Sequence, residues 1–439
     1  METDTICALA TANGNASIAV IRISGPQAKQ IAKQISHQDL KPRCAHFASF
    51  FDQDNEVIDQ GVAIYFPAPN SFTGEEVVEL QSHGNPFVCQ RLVNRVNGLG
   101  ARQALAGEFS ERAFLNGKLD LTQLEAIADL ISSSSEQAAK SAVQSMQGKF
   151  SQHVNDALQQ LIQIRTHIEA SLDFSEEDIE IETREEVSKK LIALNNALHT
   201  LQKTAQQGVL LQQGVTIVLT GSPNVGKSSL FNSLCGDDRA IVTDIAGTTR
   251  DIVSADIHIN GVPVHLLDTA GIRDKAEAES VEQEGISRAQ SALKTADAII
   301  HVHDATATNS PIISDNEKTV NVINKIDLLS EPLDIEGALL LSVKTGQGLI
   351  QLREEIIHLL HLQPEEQEAP FSARQRHLEI LHRCLAHLKQ ALQQIATDLP
   401  LELVAEECRV AQQVLSEITG EFTPDDLLDY VFREFCIGK

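Results

Sequence analysis

The chain has 439 residues, which at about 150 residues per domain predicts roughly three domains rather than one core. Its composition, 42% hydrophobic and 22% charged with 24 Gly and 13 Pro, excludes collagen-like and disordered proteins. A net charge of −26 excludes a surface that neutralises nucleic-acid phosphates throughout, so any nucleic-acid contact is expected to be local or supplied by a partner.

The sequence carries no signal for export or for membrane insertion. No segment approaches the roughly 20 apolar residues of a membrane span, and the amino-terminal residues lack the basic start and apolar run of a secretory signal. The seven cysteines form no CxxC pair, which is typical of a reducing compartment. We therefore expect a cytoplasmic protein without a membrane partner. Six of the seven cysteines are expected to be small buried side chains, and Cys436 is the exception to this expectation.

The first 118 residues alternate short β-rich runs with amphipathic stretches. SIAVIRISG and GVAIYFPAP are two of these runs, and turn residues separate them from their neighbours. This pattern predicts an amino-terminal α+β domain over residues 1–118.

Helical spacing of apolar residues dominates two distant stretches, 119–213 and 371–439. The first predicted helix places four apolar side chains on one face: Leu121, Leu124, Ile127 and Ile131. We predict one all-α domain built from both stretches.

Apolar strands alternate with helical patterns over residues 214–370. The predicted strands are TIVLTG, VHLLDTAG, AIIHVHDA, TVNVINKID and ALLLSVK, and such alternation is typical of a mostly parallel sheet covered on both faces. DIVSADIHI and VPVHLLDTA, joined by Asn260 and Gly261, predict a hairpin with an antiparallel edge strand. The predicted fold class is thus multidomain: an α+β domain, then a discontinuous all-α domain with an α/β domain inserted into it.

A glycine-containing loop, GSPNVGKS at residues 221–228, lies between a predicted strand and a helical pattern. Its glycines allow backbone N–H groups to wrap phosphates, Lys227 can reach the β and γ phosphates, and Ser228 can ligate Mg²⁺. Taken alone, the same residues would also suit a simple turn at the start of a helix. Further motifs in the expected order favour a nucleotide site.

Two later loops are predicted to sense the γ-phosphate. Thr249 in IAGTTRD has a hydroxyl that can complete the Mg²⁺ shell begun by Ser228. Asp268 in DTAG follows an apolar strand and can hold Mg²⁺ through water, and the Gly271 N–H can meet the γ-phosphate. The next residue, Ile272, has no group that could orient the attacking water, so another group must do so.

Base selection is assigned to NKID, where Asp327 can accept hydrogen bonds from N1 and N2 of guanine. Adenine lacks these donors and would leave a carboxylate unpaired, which disfavours ATP by about a few kcal/mol. All these motifs resemble those of P-loop GTPases, which predicts a GTP hydrolase with an inserted P-loop GTPase domain. The predicted GTP-binding residues are Asn224, Val225, Gly226, Lys227, Ser228, Ser229, Thr243, Asp244, Ile245, Ala246, Gly247, Thr248, Thr249, Asp268, Thr269, Ala270, Gly271, Asn324, Lys325, Asp327 and Ser342.

Several features occur together in this chain: Asn224 in the phosphate loop, GTTRD, DTAGIR, CIGK at residues 436–439, and GEFSERAFLNGKLDLTQLEAIADLI at residues 107–131. The combination resembles the MnmE family, also called TrmE, of bacterial tRNA-modification GTPases, over essentially the whole chain. The resemblance implies a G domain that is activated by K⁺-dependent pairing of two copies. A monovalent cation beside the β and γ phosphates can neutralise charge where other GTPases use an arginine.

The resemblance also implies roles for single residues. The K⁺ ligands would be Asn224, Thr243, Ile245 and Thr248, and the catalytic residues would be Glu282 and Cys436. Read from the residues alone, Asn224 also suits ordinary loop hydrogen bonding, and Glu282 a solvated helix carboxylate. The Cys436 thiol would act only if its pKa fell or a base lay beside it.

The amino-terminal domain resembles the family's folate-binding, dimer-forming domain. The implied ligand is a 5-formyl or 5,10-methylene tetrahydrofolate derivative, surrounded by Arg22, Glu79, Lys118 and Lys439. Cationic side chains suit the anionic folate tail, and a carboxylate can accept from the pterin N–H edge. Composition alone would describe each of the four as a surface charge.

The implied function is a K⁺-dependent GTPase that acts as a homodimer with the FAD-dependent subunit MnmG (GidA). The complex would bind tRNA and add a (carboxymethyl)aminomethyl-type group at C5 of the wobble uridine. The alternative is a GTP-switched RNA or ribosome assembly factor without modification chemistry, although no basic RNA-binding module is visible. A second open question concerns His301 and His303, which share a strand face and suit a core better than a metal site.

Overall fold

The structure is a computed structural model that describes residues 4–173, 183–236, 253–268, 292–307, 316–329, 331, 333, 335–360, 371–420 and 438. The chain divides into two compact units, Met1–Ala128 with Gln412–Lys439, and Asp129–Ala411. None of the helices in the described ranges has both the length and the apolar character needed to cross a membrane.

The first unit contains a mixed six-stranded sheet. Its strands are β1 (Ile6–Leu9), β2 (Ala16–Ser24), β3 (His46–Phe51), β4 (Val57–Phe66), β5 (Val77–Gly84) and β6 (Arg102–Gln103), in the order β3-β4-β5-β2-β1-β6. Among the described strands of this sheet, β1 and β6 pair in parallel and the other neighbours pair antiparallel. The helices are α1 (Ala28–Ser36), α2 (Pro86–Gly98), α3 (Glu108–Leu115) and the beginning of α4 (Leu121–Ser132). This architecture confirms the predicted α+β fold.

Alternation along the strands gives this sheet two different faces. One face contributes Cys7, Ile21 and Ile23 to a core shared with Ile31 of α1 and Leu92 of α2. The helix α2 begins at Pro86, because the Asn85 side chain accepts from the backbone N–H groups of the first turn and proline suits the first helical position. The opposite face carries a smaller buried apolar cluster that includes Ile6, Ala8 and Phe109.

The second unit combines long helices with a second six-stranded sheet. Besides the end of α4, its helices are α5 (Glu136–Met146), α6 (Lys149–Asp173), α7 (Arg184–Gln213), α8 (Lys227–Gly236), α9 (Leu349–Leu359), α10 (Gln375–Ala396) and the larger part of α11 (Leu401–Ser416). Its strands are β7 (Val215–Gly221), β8 (Val253–Ile259), β9 (Val262–Asp268), β10 (Ala298–Asp304), β11 (Thr319–Asn324) and β12 (Leu339–Leu340).

The sheet order is β12-β11-β10-β7-β9-β8, and every pair except β8–β9 is parallel. The antiparallel edge strand β8 and the turn at Asn260–Gly261 confirm the predicted hairpin. The buried central strands explain the near-continuous apolar runs in the sequence, since parallel strands are covered on both faces.

One prediction of burial was wrong. Cys44 is exposed, because it lies in the connection between α1 and β3. Ile131, the last of the four apolar side chains that share one face of α4, is 51% exposed in the last turn of that helix, whereas Leu121 and Leu124 are buried.

One buried carboxylate joins the segments on either side of the inserted sheet. Asp129 is 3% exposed and accepts hydrogen bonds from Gln212 Nε2 at 2.8 Å, Arg374 Nη2 at 3.1 Å and the Ser372 hydroxyl. Gln212 precedes β7, whereas Ser372 and Arg374 follow the α/β region in the sequence. The carboxylate therefore ties the entry segment to the exit segment.

Candidate functional site

Four strands end at one edge of the parallel sheet. Their last residues are Gly221 of β7, Asp268 of β9, Asp304 of β10 and Asn324 of β11. Ligands of α/β sheets bind at the carboxyl ends of the strands. The structure therefore brings the separate sequence motifs for phosphate, Mg²⁺ and base to a single edge.

The phosphate loop connects β7 to α8 and contains left-handed backbone at Asn224 (φ 64°) and Gly226 (φ 99°). A Cβ atom at Gly226 would lie 2.3 Å from Asn324 Nδ2, so only glycine fits there. Asparagine is among the few side chains that tolerate a left-handed conformation, which explains its place at residue 224. The loop then leads into the first turn of α8, where backbone N–H groups favour an anion.

Lys227 and Ser228 open α8 at this edge. Lys227 is buried, and its ammonium donates to the backbone carbonyls of Gly221 at 3.1 Å and Ser222 at 2.8 Å. The Ser228 hydroxyl donates to Asp268 Oδ2 at 3.2 Å, and Asp268 is only 2% exposed. A buried carboxylate beside a hydroxyl at a phosphate loop is an oxygen donor set that fits Mg²⁺.

The segment that the sequence predicts to select the base is tied to the phosphate loop by Asn324, which is 3% exposed. Its Nδ2 donates to the Val225 carbonyl at 2.9 Å, and its Oδ1 accepts from the Val343 N–H at 3.1 Å. The Ser342 hydroxyl donates to Asp327 Oδ1 at 2.6 Å. The predicted NKID and SVK segments therefore meet, and Ser342 determines how the Asp327 carboxylate is turned.

Asp304 belongs to this cluster, although the sequence analysis did not select it. Lys325 Nζ donates to Asp304 Oδ2 at 2.6 Å and to the Asn224 carbonyl at 2.7 Å. Burial raises the pKa of Asp304, but hydrogen bonds from Lys325 and Thr306 outweigh it, so the pKa lies below its usual value. In the sequence, the feature that could have identified Asp304 is its position at the end of a predicted strand.

His301 and His303 lie side by side on β10, with ring centroids 4.3 Å apart. Burial lowers the pKa of both imidazoles, and the neighbouring His301 lowers that of His303 further, so both favour the neutral form. Within the described residues, no group of three or more His, Cys, Asp or Glu side chains is arranged to hold a metal ion.

A second cluster of charged side chains lies on the face of the first sheet that carries Ala8 and faces Phe109. Arg22 and Glu79 are register partners on β2 and β5, and the Arg22 Nε and Nη2 atoms donate to Glu79 Oε1 at 3.0 and 2.9 Å. The guanidinium carbon of Arg22 lies 5.2 Å from the ring centroid of Phe72 and 5.9 Å from that of Phe109. Lys118 is exposed, and its side chain passes beside the loop that carries Phe72.

An ion-pair network anchors that loop. Arg112 Nη1 lies 3.2 Å from Glu75 Oε2, and Arg112 Nη2 lies 2.7 Å from Asp4 and 3.0 Å from Glu108. The Ser24 hydroxyl donates to Glu75 Oε2 at 2.7 Å. The hydrogen bond from Arg102 is the largest influence on the pKa of Asp4, which is lowered. These contacts hold Phe72 against Arg22.

The carboxyl-terminal tail reaches the same unit at Gly438. A Cβ atom at Gly438 would lie 2.4 Å from the Leu9 carbonyl oxygen, so the Gly438 backbone packs closely on the end of β1. Leu9 follows Ala8, the register partner of Arg22. Several predicted site residues lie outside the described residues: Thr243, Asp244, Ile245, Ala246, Gly247, Thr248, Thr249, Thr269, Ala270, Gly271, Glu282, Cys436 and Lys439.

Two family models match the chain. A family model for the "GTP-binding protein TrmE N-terminus" matches residues 5–118, and a model for the "MnmE helical domain" matches residues 121–436. The chain is 48% identical over 454 residues to the tRNA modification GTPase MnmE of Pseudomonas aeruginosa (strain UCBPP-PA14), covering 100% of this chain and 99% of that protein.

Identity to the tRNA modification GTPase MnmE of Vibrio cholerae serotype O1 (El Tor Inaba) is 46% over 456 residues, covering 100% of both chains. The crystal structure of Aquifex aeolicus Era bound to GDP·AlF4⁻ is 26% identical, covers 39% of this chain and 66% of its own, and has a TM-score of 0.27.

Proposed function

The chain belongs to the MnmE family of tRNA modification GTPases, and from this premise we propose that it is a K⁺-dependent GTPase that modifies C5 of the wobble uridine of tRNA. The observation that carries the proposal is the convergence of Lys227, Asp268 and Asp327 at one edge of a parallel sheet. These side chains supply the phosphate, Mg²⁺ and guanine functions that a GTPase needs. GTP hydrolysis is accordingly the activity of the chain.

In the proposed mechanism, the phosphate loop and Lys227 bind the triphosphate, and Asp327 selects guanine. Ser228, Asp268 and Thr249 would hold Mg²⁺, which neutralises charge on the β and γ phosphates. K⁺ would neutralise further charge in the same region, held by neutral oxygens of Asn224, Thr243, Ile245 and Thr248. Glu282 would orient the attacking water, a role that Ile272 cannot perform.

The amino-terminal cluster is proposed to bind a 5-formyl or 5,10-methylene tetrahydrofolate derivative, which supplies the one-carbon unit. Arg22 and Lys118 are cationic groups for its carboxylates, and the Glu79 carboxylate is an acceptor for the pterin N–H edge. Close packing of Gly438 on Leu9 supports a tail position from which Lys439 and Cys436 would reach this ligand.

We further propose that the protein works in the cytoplasm as a homodimer, with the FAD-dependent subunit MnmG as partner. The net charge of −26 supports an assembly in which the partner supplies most of the tRNA contact. The proposed domains are residues 1–118, the helical halves 119–213 and 371–439, and the G domain 214–370. Family membership favours this function over an assembly factor without modification chemistry.

Hydrolysis of GTP is expected to be faster in K⁺ than in Na⁺ at equal ionic strength, by about tenfold or more, because the neutral oxygens of the proposed ligands suit a large, weakly hydrated cation. Phosphate release under single-turnover conditions measures the rate. Asn224→Gly keeps the left-handed backbone and removes the amide oxygen, so it should lose the K⁺ stimulation. Equal rates of the wild-type protein in both ions would show that the cation role is wrong.

Arg22→Gln is expected to weaken binding of 5-formyltetrahydrofolate by roughly 10- to 100-fold, because one charge-assisted contact contributes about 1.5–3 kcal/mol. Calorimetry measures the dissociation constant. Nucleoside mass spectrometry of tRNA from a strain that carries only the variant should show less modified wobble uridine. Arg91→Gln is the control, since Arg91 forms a separate surface ion pair with Asp52 at 2.7 Å. Unchanged folate affinity in Arg22→Gln would contradict the site.

A further inference from the structure

Lys325 connects two parts of the nucleotide site that are distant in sequence. It has a left-handed backbone (φ 69°) directly after β11, and its ammonium lies between two oxygens. One is the Asn224 carbonyl at 2.7 Å, and the other is Asp304 Oδ2 at 2.6 Å. Through these two hydrogen bonds, Lys325 links the end of β10 to the phosphate loop.

The Asp304 carboxylate is itself fixed by hydrogen bonds from Thr306. Its Oδ1 accepts from the Thr306 backbone N–H at 2.9 Å and from the Thr306 hydroxyl at 2.7 Å, which leaves Oδ2 for Lys325. Register pairing of Asp304 with Asn324 places it beside the base-selecting segment. The Asp304 side chain is 18% exposed and that of Lys325 31%, so water screens the pair only partly. Asp304 is thus a fixed anchor for the lysine.

The lysine acts on the backbone of the proposed K⁺ ligand. Adjacent residues of NKID hold adjacent carbonyls of the phosphate loop, since Lys325 donates to Asn224 and Asn324 donates to Val225. With both carbonyls held, the peptide plane that follows Asn224 has a defined orientation. The rotamers open to the Asn224 side chain depend on the backbone dihedral angles, so this orientation also sets where its amide oxygen points.

We propose that Asp304 is a positioning residue for the monovalent-cation site, acting through Lys325 on Asn224. The inference rests on the proposed function, because Asn224 is a cation ligand only there. Groups that orient a metal ligand without touching the metal commonly change metal affinity by about 10- to 100-fold. Asp304 would therefore affect cation affinity more strongly than the maximal rate of hydrolysis.

The test uses the full-length protein with a non-hydrolysable GTP analogue and Mg²⁺. Thermal unfolding is followed as K⁺ is added, and the K⁺ concentration that gives half of the stabilisation is determined. In Asp304→Ala this concentration should rise about tenfold, whereas Asp304→Asn, which retains an acceptor for Lys325 without its charge, should lie between. GTPase assays should show the same increase in half-activating K⁺, with the rate at saturating K⁺ and the KM for GTP changed less than about threefold.

Asp256→Ala is the matched control, because Asp256 is another ion-paired carboxylate of the same sheet, paired with His265 on β9 and 69% exposed. Its K⁺ response should equal that of the wild type. If Asp304→Ala raises the KM for GTP or lowers the saturating rate with an unchanged K⁺ response, Asp304 serves the nucleotide or the fold and the inference is wrong. A wild-type protein that does not respond to K⁺ would instead overturn the cation site itself, and that result requires no variant.

Discussion

Asp327→Asn is expected to lower the affinity for GTP and GDP by a factor of about 100 to 10,000. Two hydrogen bonds from guanine N1 and N2 to a carboxylate contribute about 1.5–3 kcal/mol each. Because the Ser342 hydroxyl donates to Oδ1, the asparagine would keep its oxygen there and turn its NH₂ group toward the base. Two donors of guanine would then face a donor of the protein.

Calorimetric titration with guanosine, adenosine and xanthosine diphosphates checks this expectation. Xanthosine carries an oxygen in place of the N2 amino group, so the variant should bind xanthosine diphosphate better than GDP. Asp256→Asn makes the same chemical change outside the site and should leave all three affinities unchanged. An Asp327→Asn protein that still prefers guanosine would refute the assignment of the base-binding residue.

Gly208→Ala is expected to reduce the free energy of unfolding by about 3 kcal/mol, because an added methyl group would be forced into close-packed backbone. A Cβ atom at Gly208 in α7 would lie 2.1 Å from the Phe371 carbonyl oxygen and 3.1 Å from the Ala373 backbone nitrogen. Backbone atoms cannot rotate away as a side chain can. The segment is also held in place, since Ser372 hydrogen-bonds to Asp129 and Arg374 pairs with it.

Urea unfolding followed by far-UV circular dichroism measures the loss. The control is Gly98→Ala in α2, where an added Cβ has no heavy atom within 4 Å. Removing that glycine restricts only the unfolded chain, so stability should stay equal or rise by about 0.5 kcal/mol. If Gly208→Ala unfolded like the wild type, the close approach of α7 to residues 371–373 would be incorrect.

The repeating patterns of the sequence were sufficient for the elements and for much of the nucleotide site. Apolar runs predicted the parallel strands, and Asn260–Gly261 predicted the hairpin, because these signals depend on residues close together in the chain. Lys227, Asp268 and Asp327 were predicted correctly to follow strands of one sheet. Parallel strands bring their carboxyl ends to the same edge, so order along the chain is enough.

The partners of single side chains followed only from the tertiary structure. Asp304 meets Lys325 because β10 pairs with β11 in one register, which no periodicity specifies. Asp129 meets Arg374 across 245 positions of sequence. The exposure of Ile131, two residues after the buried Asp129 in α4, is likewise set by the packing of the folded chain.

The sequence by itself predicted the candidate residues for phosphate, metal and base chemistry and determined the order of the strands and helices that carry them, since local backbone preferences and side-chain types are enough for that. The tertiary structure decided which charged side chains form ion pairs with one another, such as Asp304 with Lys325 and Arg22 with Glu79. The physical reason is that hydrogen bonds and ion pairs depend on distances of a few ångström, and those distances are set by strand register and helix packing across the whole fold.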